Sequence, residues 1–290
     1  MTIADDIVAL WRRRYRKRGE APRSGGSMPV SVVTGASEGI GKAFAEALVA
    51  RGDTVVLVAR DDAKLGAVET ALRSSGRVSR LALDVTVPDA AERIADHVAG
   101  LGGHIDLLVN NAGIGLAGDF SRHARSDVDA LIALNVTAAT RLMHAVLPSM
   151  LAHGRGGIIN VASLGGYGPG PYQAAYYASK AYVISLTEAV AHEIRGQGVH
   201  VMAVAPGPVE TAFHAKMGAN SALYRYLVPA VSSSHVVRSA LRGFRFGRKV
   251  VLPGVLSPLL MAIVRVSPHA LVLPLLGLIL RPRGASRTDT

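Results

Sequence analysis

From residue 30 onward the chain alternates between short apolar runs and amphipathic stretches of helix length, and this alternation limits its architecture more than any other feature. Residues 30–34, 54–59, 78–83, 105–109, 157–161, 199–204 and 249–252 read as seven strands apolar enough to be buried on both faces. Between them, segments near 39–51, 61–74, 88–101, 124–153, 173–196 and 232–243 carry helical periodicity. Strand–helix–strand repetition requires right-handed crossovers and yields a parallel sheet covered on both faces. The expected fold class is therefore α/β, a doubly wound parallel sheet of the Rossmann type in a single domain. Ligands of such a sheet bind at the carboxyl ends of its strands.

Three segments are expected. Residues 1–28 form a basic arm: Ile3, Ile7, Leu10 and Trp11 recur at helical spacing, Arg12 to Arg18 follow, and a Gly/Pro/Ser-rich linker closes the segment. Residues 29–253 form the nucleotide-binding domain. Residues 254–290 form an apolar extension with a basic tail. The net charge of +11 is unevenly spread, with +4 in residues 1–28, −3 in 29–210 and +10 in 211–290. Basic ends on a near-neutral body suggest an anionic contact, such as lipid head groups or an acidic carrier, or serve solubility alone. A nucleic-acid partner rests only on residues 12–18 and is not expected. Cysteine is absent, which excludes disulfides, thiolate nucleophiles and Cys-based zinc sites, and suits a reducing cytoplasm. The ten histidines show no metal-ligand spacing, so no metal is expected.

The first strand runs into Thr34-Gly35-Ala36-Ser37-Glu38-Gly39-Ile40-Gly41 and then into an amphipathic helix. Glycines there let the backbone turn tightly against a pyrophosphate, and the helix N-terminus supplies free N–H donors. Beyond this turn come Asp84-Val85 after the third strand, Asn110-Asn111-Ala112-Gly113 after the fourth, Asn135, Ser163, Tyr176-x-x-x-Lys180 and Pro206-Gly207. In order and spacing this set resembles the short-chain dehydrogenase/reductase family over residues 30 to about 252. The resemblance implies a nicotinamide cofactor held by Gly35, Ser37, Gly39, Ile40, Gly41, Arg60, Asp84, Val85, Asn111, Ala112, Gly113, Tyr176, Lys180, Pro206, Gly207, Val209 and Thr211. It implies catalysis by Asn135, Ser163, Tyr176 and Lys180, and an assembly of identical subunits.

The reactive pair can also be argued from chemistry. Tyr176 and Lys180 stand four apart in a helical stretch and so share a face, and Tyr176 alone among the eight tyrosines has a lysine at that spacing. A nearby ammonium is expected to lower the phenol's pKa from its ordinary value of about 10. Ser163, after the fifth strand, can donate to a developing alkoxide. Asn135, in an otherwise apolar helix, is expected to bond something buried. Arg60 ends the second strand where an acid favours NAD and arginine favours the 2′-phosphate of NADP, so NADP(H) is expected ahead of NAD(H). Asp61 and Asp62 either pair with Arg60 or cap the next helix, and Glu38 stands where NADP-using relatives often carry a base.

Residues 251–280 are apolar, but Arg265 and four prolines leave uncharged runs too short for a spanning helix. They form a lid over the substrate pocket, a subunit contact or a lipid-facing surface; segments 114–120, 164–172 and 208–230 are expected to line that pocket. The expected activity is hydride transfer between NADP(H) and an apolar ketone or secondary alcohol. A 3-oxoacyl-carrier reductase, with Lys216 and Arg225 engaging the carrier, and a non-catalytic nucleotide sensor are the alternatives.

Overall fold

The computed structural model describes residues 27–219, 221–254 and 256–282; residues 1–26 of the basic arm and the basic tail from Arg283 lie outside the described residues, and Met28, expected to close the arm, opens β1. Seven strands, β1 (Met28–Thr34), β2 (Thr54–Ala59), β3 (Val78–Ala82), β4 (Gly103–Asn110), β5 (Gly156–Val161), β6 (Val199–Val204) and β7 (Val250–Val251), form one parallel sheet in the order β3-β2-β1-β4-β5-β6-β7. The chain starts at the centre, builds outward through β3, then crosses to β4 and builds the other way. The carboxyl ends of β1 and β4 therefore flank the switch point where such sheets bind ligands.

Successive strand residues point to opposite faces, and each face has its own helices. On one, Val33, Leu57, Val109, Ile159 and Val204 pack against α1 (Gly39–Ala50), α2 (Asp62–Leu72) and α9 (Ser233–Arg245). On the other, Val32, Val56, Leu108, Ile158 and Val201 meet α3 (Ala90–Gly100), α5 (Ala139–Ala152) and α6 (Ala174–Glu193). The runs of β1, β2, β5 and β6 contain few polar residues because neither face meets water, whereas the edge strand β3 is only partly covered and carries Ser79 and an exposed Arg80.

Two departures from the sequence expectation matter. The helix expected over 124–153 is interrupted: α4 (Arg125–Ile132) and α5 are joined by a π-helical turn, Ala133–Ala138. The whole run is long and apolar enough to cross a membrane by length and composition, yet Leu131, Leu142, Met143, Val146 and Met150 are buried. Four further helices, α7 (Phe213–Lys216), α8 (Tyr224–Leu227), α10 (Ser257–Val266) and α11 (His269–Leu280), are not signalled by periodicity. The first two are single turns, and α11 is apolar all round, which erases the pattern that reveals a helix.

Phe244 on α9 fills a notch over Gly157 of β5, where a Cβ would sit 2.1 Å from the ring. The ring is buried, so Phe244→Ala is expected to destabilise the fold by about 3–5 kcal/mol. Urea titration checks this as a lower midpoint at unchanged slope.

Candidate active site

The glycine turn is held by a polar splice between β1 and β4. Thr34 Oγ1 donates to Val109 O (3.3 Å) and accepts from the amides of Asn111 (3.0 Å) and Ala112 (3.1 Å). Asn111 Nδ2 returns bonds to the carbonyls of Thr34 (2.9 Å) and Gly35 (3.2 Å). Two glycines are dictated by this closeness. Gly35 has φ +63°, and a Cβ on Gly41 would lie 2.1 Å from Gly35 O. Glu38 at the start of α1 makes no side-chain cap, so no side chain of the cap residue satisfies the first amides of that helix.

From this turn a continuous cavity of about 1140 Å³ runs along the carboxyl ends of the strands. Seventeen expected site residues line it: Gly35, Ser37, Gly39, Ile40, Arg60, Asp84, Val85, Asn111, Ala112, Gly113, Ser163, Tyr176, Lys180, Pro206, Gly207, Val209 and Thr211. Gly41 and Asn135 are not in the wall itself. At one end Arg60, with its side chain 71% exposed, lies 3.9 Å from Asp84. Asp84 is held below the usual carboxylate range: burial raises it, but hydrogen bonds from Thr86 and the charge of Arg60 outweigh that. Asp61 caps α2 through Lys64 N (3.0 Å), and Asp62 pairs with Arg80 (2.8 Å), so neither is the partner of Arg60 in these ion pairs. Glu38 is ion-paired with Lys216.

At the other end α6 brings Tyr176, Ser179 and Lys180 into the interior. Lys180 Nζ donates to Val161 O (2.9 Å) and lies 5.8 Å from the centroid of the Tyr176 ring. Asn135 sits in the π turn, a device that widens a helix locally and is common at functional sites. It clamps Ile114, accepting from its amide (2.9 Å) and donating to its carbonyl (2.8 Å), and it donates to Ser179 Oγ (3.1 Å). The buried partner expected for Asn135 is thus the backbone beyond β4. Facing Tyr176 is an apolar and aromatic chamber: Ile114, Leu164, Tyr177, Phe213 and Met217, closed by Leu260, Val264, Leu276 and Ile279 of α10 and α11.

The family model for short chain dehydrogenases matches residues 29–222. The chain belongs to the short-chain dehydrogenase family. Among curated relatives, this short-chain dehydrogenase is 40% identical over 182 residues to a 3-oxoacyl-acyl-carrier-protein reductase of Vibrio cholerae serotype O1, covering 63% of this chain and 74% of that one. It is 36% identical over 242 residues to sorbitol dehydrogenase of Cereibacter sphaeroides, covering 83% and 91%. Solved structures similar to it include a Sphingobium yanoikuyae short-chain dehydrogenase in complex with NADPH (TM-score 0.73, 32% identity, 90% and 99% covered). Another is the bulky-bulky ketone specific alcohol dehydrogenase of Comamonas testosteroni (0.69, 28%, 90% and 98%). A third, from Burkholderia phymatum, is a complex with NAD (0.75, 26%, 91% and 99%).

One expectation for this short-chain dehydrogenase is corrected. Tyr176 is not made acidic by Lys180: burial pushes its hydroxyl up to about 12, a hydrogen bond with Ser163 pulls it down, and Tyr224 pushes it up. Burial also pulls the Lys180 ammonium down to about 8. Desolvation wins because both groups sit inside the protein and the ammonium, bonded to the Val161 carbonyl, stands 5.8 Å from the ring centroid. Three residues of the site go beyond those expected from sequence: Thr34, Ser179 and Lys64, the last in the cavity wall and ion-paired with Asp61. Thr34 has a signal, since it is the polar residue closing an apolar strand directly before Gly35. Of the segments expected to line the pocket, 164–172 and 208–230 do so broadly, whereas 114–120 contributes Ile114 and Gly115.

The unfolded chain holds the Lys180 proton more tightly than the fold does, so below pH about 8 the buried charge destabilises the protein. Raising pH from about 8 to 10.5 relieves this. Lys180→Met is therefore expected to be about 2 kcal/mol more stable than the parent at pH 7, after allowing for the lost bond to Val161. Denaturant titrations across that pH window check that the advantage shrinks and vanishes above pH 10.5.

Proposed function

We propose that this chain is a reductase that interconverts a bulky, apolar ketone and its secondary alcohol with NADP(H). The observation that carries the reading is the meeting of Tyr176, Ser163 and Lys180 at the deep wall of a cavity whose remaining lining is largely apolar.

The residues fit a nicotinamide dinucleotide. Gly35 and Gly41 let the backbone close where a pyrophosphate needs room, and a Cβ on Gly113 would lie 3.1 Å from Asn135 Oδ1 and 3.5 Å from Lys180 Nζ. The dinucleotide, when bound, supplies or accepts the hydride. Arg60 and Lys64 line the cavity where a 2′-phosphate would lie. Glu38 would oppose that phosphate, and its ion pair with Lys216 blunts the charge. The NADPH complex of the Sphingobium relative supports the same choice; the NAD complex of the Burkholderia relative supports the other.

Tyr176 is the proton donor of the reduction. With its hydroxyl pushed up to about 12 it is neutral at physiological pH and holds a proton to give. An alkoxide is far more basic than a phenolate, so transfer to the developing oxyanion runs downhill. Ser163 donates a hydrogen bond to the same oxygen as charge grows on it. Lys180 stands ready to stabilise the phenolate left behind, and its depressed ammonium allows it to pass a proton onward. Asn135 works through position: it fixes Ile114 beside the reacting centre and Ser179 behind Tyr176. The apolar chamber and the name of the Comamonas relative both favour a substrate with two large groups flanking the carbonyl.

The Vibrio relative favours a second reading, reduction of a 3-oxoacyl group on an acidic carrier. Against it, Lys216 is already engaged by Glu38.

Two measurements test the proposal. Tyr176→Phe is expected to lower kcat by about 10²–10⁴ with cofactor affinity retained, and undiminished turnover would overturn Tyr176 as the donor. A ketone panel run with NADPH and NADH in parallel is expected to favour bulky apolar ketones and NADPH. Arg60→Asp should then cut kcat/KM for NADPH by about 10–100-fold and spare NADH.

A further inference from the structure

The helices α10 and α11 are apolar on two sides. Their inner residues, such as Val264 and Leu276, close the cavity. Their outer residues Leu259, Ile263, Val266, Leu271, Leu275 and Leu278 are between 50% and 81% exposed. Inner contacts pin the pair to the loop that leads into α6. A Cβ on Gly168 would meet Val264 at 2.5 Å, Gly277 lies against Pro171, and the Arg281 guanidinium stands 5.9 Å above the Tyr172 ring. The outer leucines are thus held outward by an anchored scaffold.

We propose that this outer face docks on the surface of an anionic lipid bilayer and that the cavity draws its apolar substrate from the lipid. The second half rests on the reductase reading; the docking does not.

Length and charge select this occupant. Helices of 10 and 12 residues span about 15 and 18 Å at 1.5 Å per residue, well short of a hydrocarbon core of about 30 Å, so they lie in the interface and do not cross it. The patch is edged by exposed Arg265, His269 and Arg281, and no Asp or Glu occurs from residue 211 through 288. Anionic head groups complement that rim. A second copy stacked face to face would set Arg265 and Arg281 against the same cations, with no acid from this segment to meet them. The geometry also connects docking to supply: the helices that would sit in the head-group layer are the ones that wall the cavity, so a lipid-soluble ketone reaches the chamber without crossing water.

Flotation of the full chain with vesicles tests the docking. The expected result is binding to phosphatidylcholine vesicles doped with phosphatidylglycerol, weaker binding to phosphatidylcholine alone, and release by salt. The triple variant Leu271→Ser, Leu275→Ser, Leu278→Ser should lose about a hundredfold in partitioning, and Arg265→Gln alone about fivefold. Both should keep the parent's far-ultraviolet dichroism and its turnover of a short, water-soluble ketone, while turnover of a long-chain ketone dissolved in the vesicles falls with binding. A parent chain that stays in the aqueous phase overturns the proposal, as does a triple variant that floats like the parent. So does ultracentrifugation showing an oligomer that the triple variant dissociates while vesicles go unbound, which would make the face a contact between copies. If no ketone is reduced under any condition, the reductase reading falls and flotation still decides the docking.

Discussion

The Thr34 side chain is where the two halves of the sheet are fastened together. It lies at the carboxyl end of β1, bonds the end of β4, and receives two amides from the Asn111–Ala112 turn. Asn111 returns the connection to the carbonyls on either side of the glycine turn. A doubly wound sheet has a crevice at this point because its connections diverge there, and only local polar bonding can fix the crevice walls. Everything downstream depends on this spacing. Gly41 packs where a Cβ would strike Gly35 O, and the same turn carries Gly113 against Asn135 and Lys180. An alanine at either glycine would press on a network with no slack, since its members are backbone atoms and short side chains.

Behind the splice the polar groups continue inward as a series of hydrogen bonds, with Asn110 Oδ1 the one atom of the series left without a partner among the described residues. Asn110 donates to Asn160 (3.0 Å), Asn160 to Thr187 (2.9 Å), and Thr187 back to its own helix at Val183 O (2.6 Å). Buried amides in an apolar sheet are unfavourable unless partnered, and partnered they tie β4, β5 and α6 to one register. That register places Lys180 against the end of β5 and leaves its ammonium desolvated. The site therefore holds a group that weakens the fold at neutral pH, kept in place by a neighbourhood that strengthens it.

Much of this architecture is legible in the amino-acid sequence. Val/Ile/Leu-rich runs between amphipathic segments dictate a buried parallel sheet, and the strand bounds differ by no more than two residues at either end. The residues around the cavity are legible because turn, strand end and helix face each leave a local mark: three glycines before a helix, a serine after β5, a tyrosine and lysine one helical turn apart. What stays hidden depends on distance in three dimensions. The acidity of Tyr176 escapes the sequence because spacing reveals a neighbouring charge and says nothing of burial, and burial dominates. The π turn at Asn135 inserts one residue's width without altering composition. Helix α11 has no polar face to give it away, and the roles of Asp61 and Asp62 are decided only by the placement of Lys64 and Arg80.

The segment after β6 binds these themes together, since it touches both ends of the cavity. Thr211 lies against Gly39, where a Cβ would meet its methyl at 3.3 Å, and Lys216 on α7 pairs with Glu38 at the start of α1. On the same short helix Phe213 packs 5.5 Å from the ring of Tyr176, and His214 meets the Tyr224 hydroxyl at 2.8 Å. A displacement of α7 therefore alters the electrostatics at the glycine turn and the wall beside Tyr176 at once. The ion pair is exposed and contributes little to stability by itself. Its consequence is geometric, because it joins residues 178 positions apart and so couples the glycine-turn end of the cavity to the end that holds Tyr176.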